Sequence, residues 1–148
     1  MRFSSFEKGG KFCIEAEFEG DDSEYGFREE GSGVQIELKT RVLEYSYVPK
    51  NIHPDIFALI CILNFYPFVG SRMEFEKPVS RRIEEAMSIP VFRQKKEIEI
   101  VNVDPNLKGY SGSKIATAFG GGIDSTSVLN MFPESIIVHE AHTKDGEI

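Results

Sequence analysis

The sequence feature that most constrains the fold is a glycine-rich segment, residues 119–127, which reads FGGGIDSTS. An apolar run, residues 115–119, leads into it, and Val128, Leu129 and Met131 follow at helical spacing. This order predicts a short buried strand, a glycine turn and a helix that begins at Asp124 or Ser125. Glycines let backbone N–H groups approach an anion, and the first helical turn carries unpaired N–H groups, so the segment predicts a phosphate site.

The two common glycine signatures for phosphate do not describe this loop. A Walker A loop ends in Gly-Lys-Ser/Thr, and no lysine lies in residues 119–127. The Rossmann fingerprint needs a further glycine where Ile123, Asp124 and Ser125 stand. A plainer interpretation stays open, in which Asp124 or Ser125 only caps the helix and the glycines only make a tight turn.

The loop resembles the Ser-Gly-Gly-x-Asp-Ser-Thr loop of the PP-loop ATP pyrophosphatases, an adenine nucleotide alpha hydrolase-like superfamily. Its members adenylate a substrate with ATP and release pyrophosphate. The positions that match are Gly121, Gly122, Asp124, Ser125 and Thr126, while Gly120 takes the place of the first serine. A wider similarity, to a group of PP-loop proteins with an N-terminal accessory domain, covers most of the chain but names no substrate.

The resemblance implies a set of site residues and cofactors. ATP phosphates would lie against Gly120, Gly121 and Gly122 and the hydroxyls of Ser125 and Thr126. Asp124 would serve as a catalytic residue and hold Mg²⁺, which prefers carboxylate and phosphate oxygens. Glycine at position 120 removes a hydroxyl that the family pattern offers to pyrophosphate, which weakens the expectation of efficient catalysis.

The residues after the loop predict a second strand. Residues 131–134 end the helix, and Ser135 to His139 form a β-branched run suited to a parallel strand, giving one βαβ unit. The resemblance implies that Val138 and His139 face the nucleoside. His139 and His142 flank Glu140, but they lack the spacing of a helical zinc motif, so we interpret them as strand-end loop residues.

These patterns predict an α+β N-terminal module followed by the start of an α/β, doubly wound PP-loop nucleotide-binding domain. The predicted boundaries are residues 1–105 for the accessory domain, 106–113 for a linker rich in small and polar residues, and 114–148 for the nucleotide-binding part. A doubly wound domain usually needs about 100 residues or more. We therefore expect the second part to be incomplete and to be completed by missing residues, by the first part or by a partner chain, self-association included.

Alternation and apolar runs predict the elements of the N-terminal module. Strands are expected at Lys11 to Phe18 and across Val34 to Tyr47, and solvated acidic or polar connectors at residues 20–24 and 28–33. The later elements are a buried helix from about Pro54 to Phe65, covered on most sides, a short strand at 73–75, a helix that starts at Pro78-Val79-Ser80, and a strand over 97–103. Ile83, Ala86 and Met87 are expected to face inward, and Glu84 and Glu85 outward.

The composition limits the kinds of partner and environment that we expect for the chain. The net charge of −7 disfavours nonspecific nucleic-acid binding, and we interpret the basic residues 81, 82, 93, 95 and 96 as a solvated helix face. The uncharged run at 56–69 is shorter than the roughly 20 residues of a membrane span. Cys13 and Cys61 are too isolated to indicate a disulfide framework or zinc cluster. Without a visible signal peptide, the chain is predicted to be cytoplasmic.

Two functions follow as expectations. The preferred one is the N-terminal portion of an ATP-binding, pyrophosphate-releasing enzyme that adenylates an unknown small-molecule acceptor, in the manner of a ligase or amidotransferase if the full chain is longer. The alternative is a non-catalytic or degenerate nucleotide-binding module. A third interpretation treats the glycine loop as a structural turn only.

Overall fold

The computed structural model describes residues 1–28, 35–89, 97–110, 116–118, 131 and 136–138. The chain divides into two compact units, Met1–Tyr110 and Ser111–Ile148. The division falls within the range predicted as a linker, residues 106–113.

The first unit contains seven strands and two α-helices among its described residues. In chain order they are β1 (Arg2–Lys8), β2 (Lys11–Glu17), β3 (Tyr25–Arg28), β4 (Gln35–Glu37), β5 (Val42–Tyr45), α1 (Pro54–Phe65), β6 (Arg72–Ser80), α2 (Arg81–Met87) and β7 (Glu99–Asp104). A short 3-10 helix, Tyr66–Phe68, follows α1.

A five-stranded mixed sheet with the order β5-β2-β1-β6-β7 forms the framework of this unit. β1 and β5 are antiparallel to β2, whereas β1 and β7 are parallel to β6. β3 and β4 form a separate antiparallel pair. The mixed sheet with its two helices confirms the predicted α+β class of the N-terminal module.

The turn between β1 and β2 sets the register of the first hairpin. Gly9 and Gly10 have φ values of 59° and 75°, and they join strands whose last pair is Lys8 with Lys11. Both glycines therefore occupy the left-handed region that a tight two-residue hairpin turn requires. β1 is not among the elements predicted from the sequence.

The predicted buried helix is confirmed, because α1 begins at Pro54 and ends at Phe65. His53 caps it, with Nδ1 accepting a hydrogen bond from the Asp55 backbone N–H at 3.2 Å. As expected, most of α1 is covered, with six of its twelve residues buried, but one strip is exposed, where Leu59 is 41% and Leu63 77% exposed. No helix among the described residues is long and apolar enough to cross a membrane.

The strand predicted across Val34 to Tyr47 is instead two strands, β4 and β5. The hydroxyl of Thr40 accepts from the Val42 N–H at 3.1 Å and donates to the Val42 carbonyl at 3.0 Å. Such local side-chain bonds compete with strand pairing. β4 pairs with β3, and β5 pairs with β2.

β6 is longer than the predicted strand over 73–75. Pro78 and Val79 belong to β6 rather than to a helix start, and the register shifts between Glu74 and Val79 in the pairing with β7. A strand accommodates proline at such an irregularity because the ladder hydrogen bond is already lost there. The helix α2 begins only at Arg81, after Ser80.

Apolar side chains between the sheet and the helices form the core. As predicted, Ile83 and Met87 of α2 are buried, Ala86 is half-buried, and Glu84 and Glu85 are exposed. The fully buried side chains of the core include Met1, Phe3, Ile14, Phe65 and Met73. Phe3 contacts the rings of Phe65 and Phe75 at centroid distances of 5.4 and 5.6 Å.

The second unit has two described strands, β8 (Ala116–Ala118) and β9 (Ile136–Val138). They are parallel, with Ala116 opposite Ile136 and Ala118 opposite Val138. Met131, between them in sequence, is helical. Both strands lie within the ranges that the sequence predicts as strands.

Candidate functional site

The glycine segment follows β8 directly. β8 ends at Ala118, and Val138, which ends β9, lies opposite it in the parallel register. The carboxyl ends of the two strands therefore lie at one edge, the edge at which open α/β sheets bind ligands. Val138 is the one predicted site residue within the described strands. The others lie outside the described residues: Gly120, Gly121, Gly122, Asp124, Ser125, Thr126 and His139.

One cleft of the first unit has carboxylates among its described lining residues. It has a volume of about 580 Å³ and lies beside α2 and β7. The charged residues in the described part of its lining are Glu84, Glu97 and Glu99. Three carboxylates repel a polyphosphate anion. The described part of this cleft therefore does not favour phosphate binding.

A polar cluster around Asp55 connects three parts of the first unit. The Ser80 backbone N–H donates to Asp55 Oδ1 at 2.8 Å, and Ser80 Oγ donates to Oδ2 at 2.7 Å. The Tyr110 backbone N–H donates to Oδ2 at 3.1 Å. Asp55 is 3% exposed and Ser80 1%. One carboxylate thus joins the start of α1, the start of α2 and the end of the unit.

The contacts within this cluster indicate a structural role rather than a catalytic one. Ser80 Oγ is buried and donates directly to a carboxylate, so its hydroxyl is not presented to a substrate. His53 Nδ1 lies 3.9 Å from Asp55 Oδ2, and its closer contact is with the Asp55 N–H at 3.2 Å. The cluster therefore does not have the order of contacts in which a histidine activates a serine.

Hydrogen bonding controls the ionisation of Asp55. Burial acts to raise the pKa of the carboxyl group, but the hydrogen bonds from Ser80 and Tyr110 and the nearby His53 outweigh it and hold the pKa below its ordinary value. Asp55 is consequently ionised at neutral pH and accepts all three hydrogen bonds as a carboxylate.

The last residues of the first unit are held by specific contacts. Tyr110 donates to Asp55, its carbonyl accepts from Arg82 Nη1 at 3.4 Å, and its ring lies 5.6 Å from that of His53. A Cβ at Gly109 would lie 2.4 Å from Arg82 Cδ, so the backbone passes close to this side chain. Part of the range predicted as a linker is thus anchored on the helix starts.

The acidic residues at 20–24 are a connector, but they are not all solvated as predicted. The Asp22 side chain is 1% exposed and lies 2.8 Å from the α-amino group of Met1. Asp21 accepts from the Ser71 backbone N–H at 3.1 Å, and this bond lowers the pKa of Asp21. The prediction differs from the structure because the fold brings Met1 and Ser71 against these carboxylates, and no local sequence pattern indicates those contacts.

The two cysteines are buried and free. Burial raises the pKa of the Cys61 thiol far above its ordinary value, so the reactive thiolate is scarce. No group of three or more His, Cys, Asp or Glu residues that could hold a metal ion occurs among the described residues. Asp124, for which the PP-loop resemblance implies a Mg²⁺ role, lies outside them.

Sequence reasoning missed the residues that organise the first unit: Met1, Asp22, Asp55 and Ser80. Asp55 carries a usable signal, because it stands in the first turn of a predicted helix that is otherwise apolar. Its partner Ser80 lies 25 residues away, and no local pattern connects them.

Comparisons of the chain with protein families, with curated proteins and with solved structures found no match.

Proposed function

We propose that the chain binds ATP with the glycine segment after β8 and belongs to an enzyme that releases pyrophosphate while adenylating an acceptor. The parallel pairing of β8 with β9 supports the proposal most directly. It leaves a glycine-rich segment between two parallel strands and starts that segment at the carboxyl end of the first, where phosphate-binding turns occur.

Each residue of the segment has a chemical task in this proposal. Backbone N–H groups of Gly121 and Gly122 and the hydroxyls of Ser125 and Thr126 bind phosphate oxygens. Asp124 holds Mg²⁺, which would offset negative charge on the phosphates. The acceptor attacks the α-phosphorus, the bond to the bridging oxygen of the β-phosphate breaks, and pyrophosphate leaves with the electron pair. The acceptor's chemical class stays open.

Pyrophosphate release tests the enzymatic part of the proposal. The full chain is incubated with ATP and Mg²⁺, with pools of carboxylates, amides and amines as acceptors, and pyrophosphate is measured. We expect turnover that Asp124→Ala reduces at least about 100-fold, since the variant loses the metal ligand. Asp145→Ala is the matched control, because it removes an acidic residue outside the loop. Equal turnover in Asp124→Ala and Asp145→Ala would remove Asp124 from the mechanism.

The alternative function is nucleotide binding without chemistry, and one residue favours it. Gly120 stands where the PP-loop pattern has a serine, so one phosphate ligand is absent. In this case Mg²⁺ and ATP raise the thermal midpoint, but no pyrophosphate appears with any acceptor, and Gly120→Ser tightens binding. A ligand at 100 times its Kd stabilises the bound state by about 2.7 kcal/mol, which a thermal shift detects. No shift at millimolar ATP would contradict both functions.

A further inference from the structure

The pairing between β1 and β6 ends before β1 does. Among the described residues, the two strands are in register only over Arg2 and Phe3, although β1 continues to Lys8. Beyond this point the Ser5 backbone N–H donates to Glu76 Oε2 at 2.7 Å, and the Ser5 hydroxyl donates to Oε1 at 2.8 Å. A side-chain carboxylate thus takes the place of the backbone carbonyl that a paired strand would offer.

This early end leaves part of β1 with an open edge. In an antiparallel pair, successive residues direct their backbone groups alternately towards the partner strand and away from it. Ser5 directs its N–H away from β2, to Glu76, so Glu7 also directs its N–H and carbonyl away from β2. Within the described part of the chain, these two backbone groups of Glu7 have no hydrogen-bond partner. Unpaired strand edges of this kind are templates for a further strand.

A cleft of about 250 Å³ lies at this open edge. β1 contributes residues 5–7 to its lining, β6 contributes Glu76 and Lys77, and the segment before α1 contributes residues 48–52. Two apolar side chains of the lining are open to solvent, since Phe6 is 37% and Val48 39% exposed. An unpaired strand edge beside apolar surface is the combination with which proteins bind extended peptides.

The charged residues of the cleft favour a carboxylate on the ligand. They are two lysines, Lys50 and Lys77, and two glutamates, Glu7 and Glu76. Both oxygens of Glu76 already accept from Ser5. Neither lysine makes an ion pair or a hydrogen bond with another described residue. Two ammonium groups are therefore free to hold one carboxylate of a ligand.

The sheet determines which part of a peptide fits the cleft. β1 and β6 are paired at Phe3, so a chain that enters along the open edge of β1 has to end before that pair. Such a chain presents its terminal carboxylate there if it runs antiparallel to β1, from Glu7 towards Ser5. Antiparallel pairing is also slightly the more stable of the two arrangements.

We propose that this cleft binds the carboxyl-terminal end of an extended peptide whose last side chain is apolar. The backbone of Glu7 pairs with the peptide backbone, Lys50 and Lys77 hold the terminal carboxylate, and Phe6 and Val48 contact the last side chain. The cleft is thus a protein-interaction site of the first unit, and it does not depend on the ATP site proposed for the second.

Short synthetic peptides test the proposal on the full chain. The probes are four acetylated pentapeptides of threonine and valine that end in Val, Leu, Ile or Phe, each made with a free carboxylate and with a carboxamide. Titration into the ¹⁵N-labelled protein, followed by amide chemical shifts, reports both affinity and place. We expect at least one free acid to bind at least about tenfold more tightly than its amide, with the largest shifts at Glu7, Lys50 and Lys77.

Three results of this titration would overturn the proposal. They are no binding of any free acid at millimolar concentration, equal affinity of acids and amides, and shifts that lie outside the cleft. A carboxamide peptide with an internal glutamate distinguishes a side-chain carboxylate from a chain end. If it binds as tightly as the free acids, the cleft does not require a chain end, and the proposal is wrong.

Substitution of the lysines tests the carboxylate contact. The double variant Lys50→Gln, Lys77→Gln should lower the affinity for the free acid at least about tenfold, to that of the amide. Lys108→Gln is the matched control, because Lys108 is exposed and lies outside the lining of the cleft. An unchanged affinity in the double variant would overturn the proposal.

Methylation of the peptide nitrogens, one at a time, tests the backbone pairing. A methylated nitrogen cannot donate to the Glu7 carbonyl, so we expect at least one position at which methylation lowers affinity at least about tenfold. Equal affinity of all the methylated peptides would show that the open edge of β1 is not used and would overturn the proposal.

Discussion

Ser80 donates two hydrogen bonds to the carboxylate of Asp55, from its backbone N–H at 2.8 Å and from its hydroxyl at 2.7 Å. Ser80 is the residue before α2, yet its side chain does not cap that helix. It is committed instead to the first turn of α1. The pair therefore fixes the starts of both helices against each other.

The first prediction concerns the energy of this pair. Asp55→Ala leaves the Ser80 N–H and hydroxyl buried without an acceptor, so we expect the free energy of unfolding to fall by roughly 3 kcal/mol. Ser80→Ala should lower the free energy of unfolding by a smaller amount, because the backbone N–H of residue 80 still donates to Asp55. Urea unfolding measures both, and Glu85→Ala, on the exposed face of α2, is the control. We also expect the double variant with both substitutions to lose less stability than the sum of the two single losses. If the single losses add up, the two side chains are not directly coupled.

The second prediction is a pH dependence. The pKa of Asp55 is lower in the folded than in the unfolded protein. Its stabilising contribution is therefore complete above the unfolded pKa of about 3.9 and is lost as the pH falls through the lower folded pKa. The stability advantage over Asp55→Asn should be constant from about pH 5 to 7 and shrink below about pH 4. A stability advantage that grows as the pH falls below 4 would contradict the predicted direction of the pH dependence.

The third prediction concerns the anchored end of the first unit. Lys108 is exposed, but Tyr110 is tied to Asp55 and Arg82. Trypsin needs several residues of unfolded backbone, so cleavage after Lys108 should be slow in the parent chain and several-fold faster in Asp55→Ala. Glu85→Ala again serves as the control. Rapid cleavage after Lys108 in the parent chain would show that Tyr110 is not held.

The fourth prediction is low thiol reactivity. Cys13 and Cys61 are 1% and 0% exposed, and burial raises the pKa of Cys61. Both thiols should react with an aromatic disulfide at least about 100-fold more slowly in the native protein than in urea. Fast stoichiometric labelling under native conditions would place at least one thiol at the surface.

The sequence predicts the elements whose signals are local. The proline and apolar run of Pro54–Phe65 specify α1, and the alternation from Lys11 specifies β2. β1 was missed, although the Gly9-Gly10 pair is a local hairpin signal. β1 is a central strand because it pairs in parallel with β6, some 70 residues later in the chain. The local sequence of β1 does not indicate a partner that distant.

The organising contacts of the first unit could not be predicted for the same reason. The Asp22 carboxylate lies in an acidic run that is typical of a solvated connector, and its burial depends on Met1, Glu19 and Gly70 meeting there. Asp55 and Ser80 are likewise joined only by the fold. In the second unit the two short strands follow the predicted pattern, while the roles of Gly120 to Thr126 stay predictions.

Titration calorimetry of the full chain with ATP in the presence of Mg²⁺ tests the central claim most directly. The account predicts a single site per chain, and at least about a tenfold loss of affinity in Asp124→Ala but not in Asp145→Ala, because only the former carboxylate is assigned to the metal and phosphates. No heat of binding at millimolar ATP, or equal affinity in all three proteins, would contradict the assignment of the glycine segment as a nucleotide site.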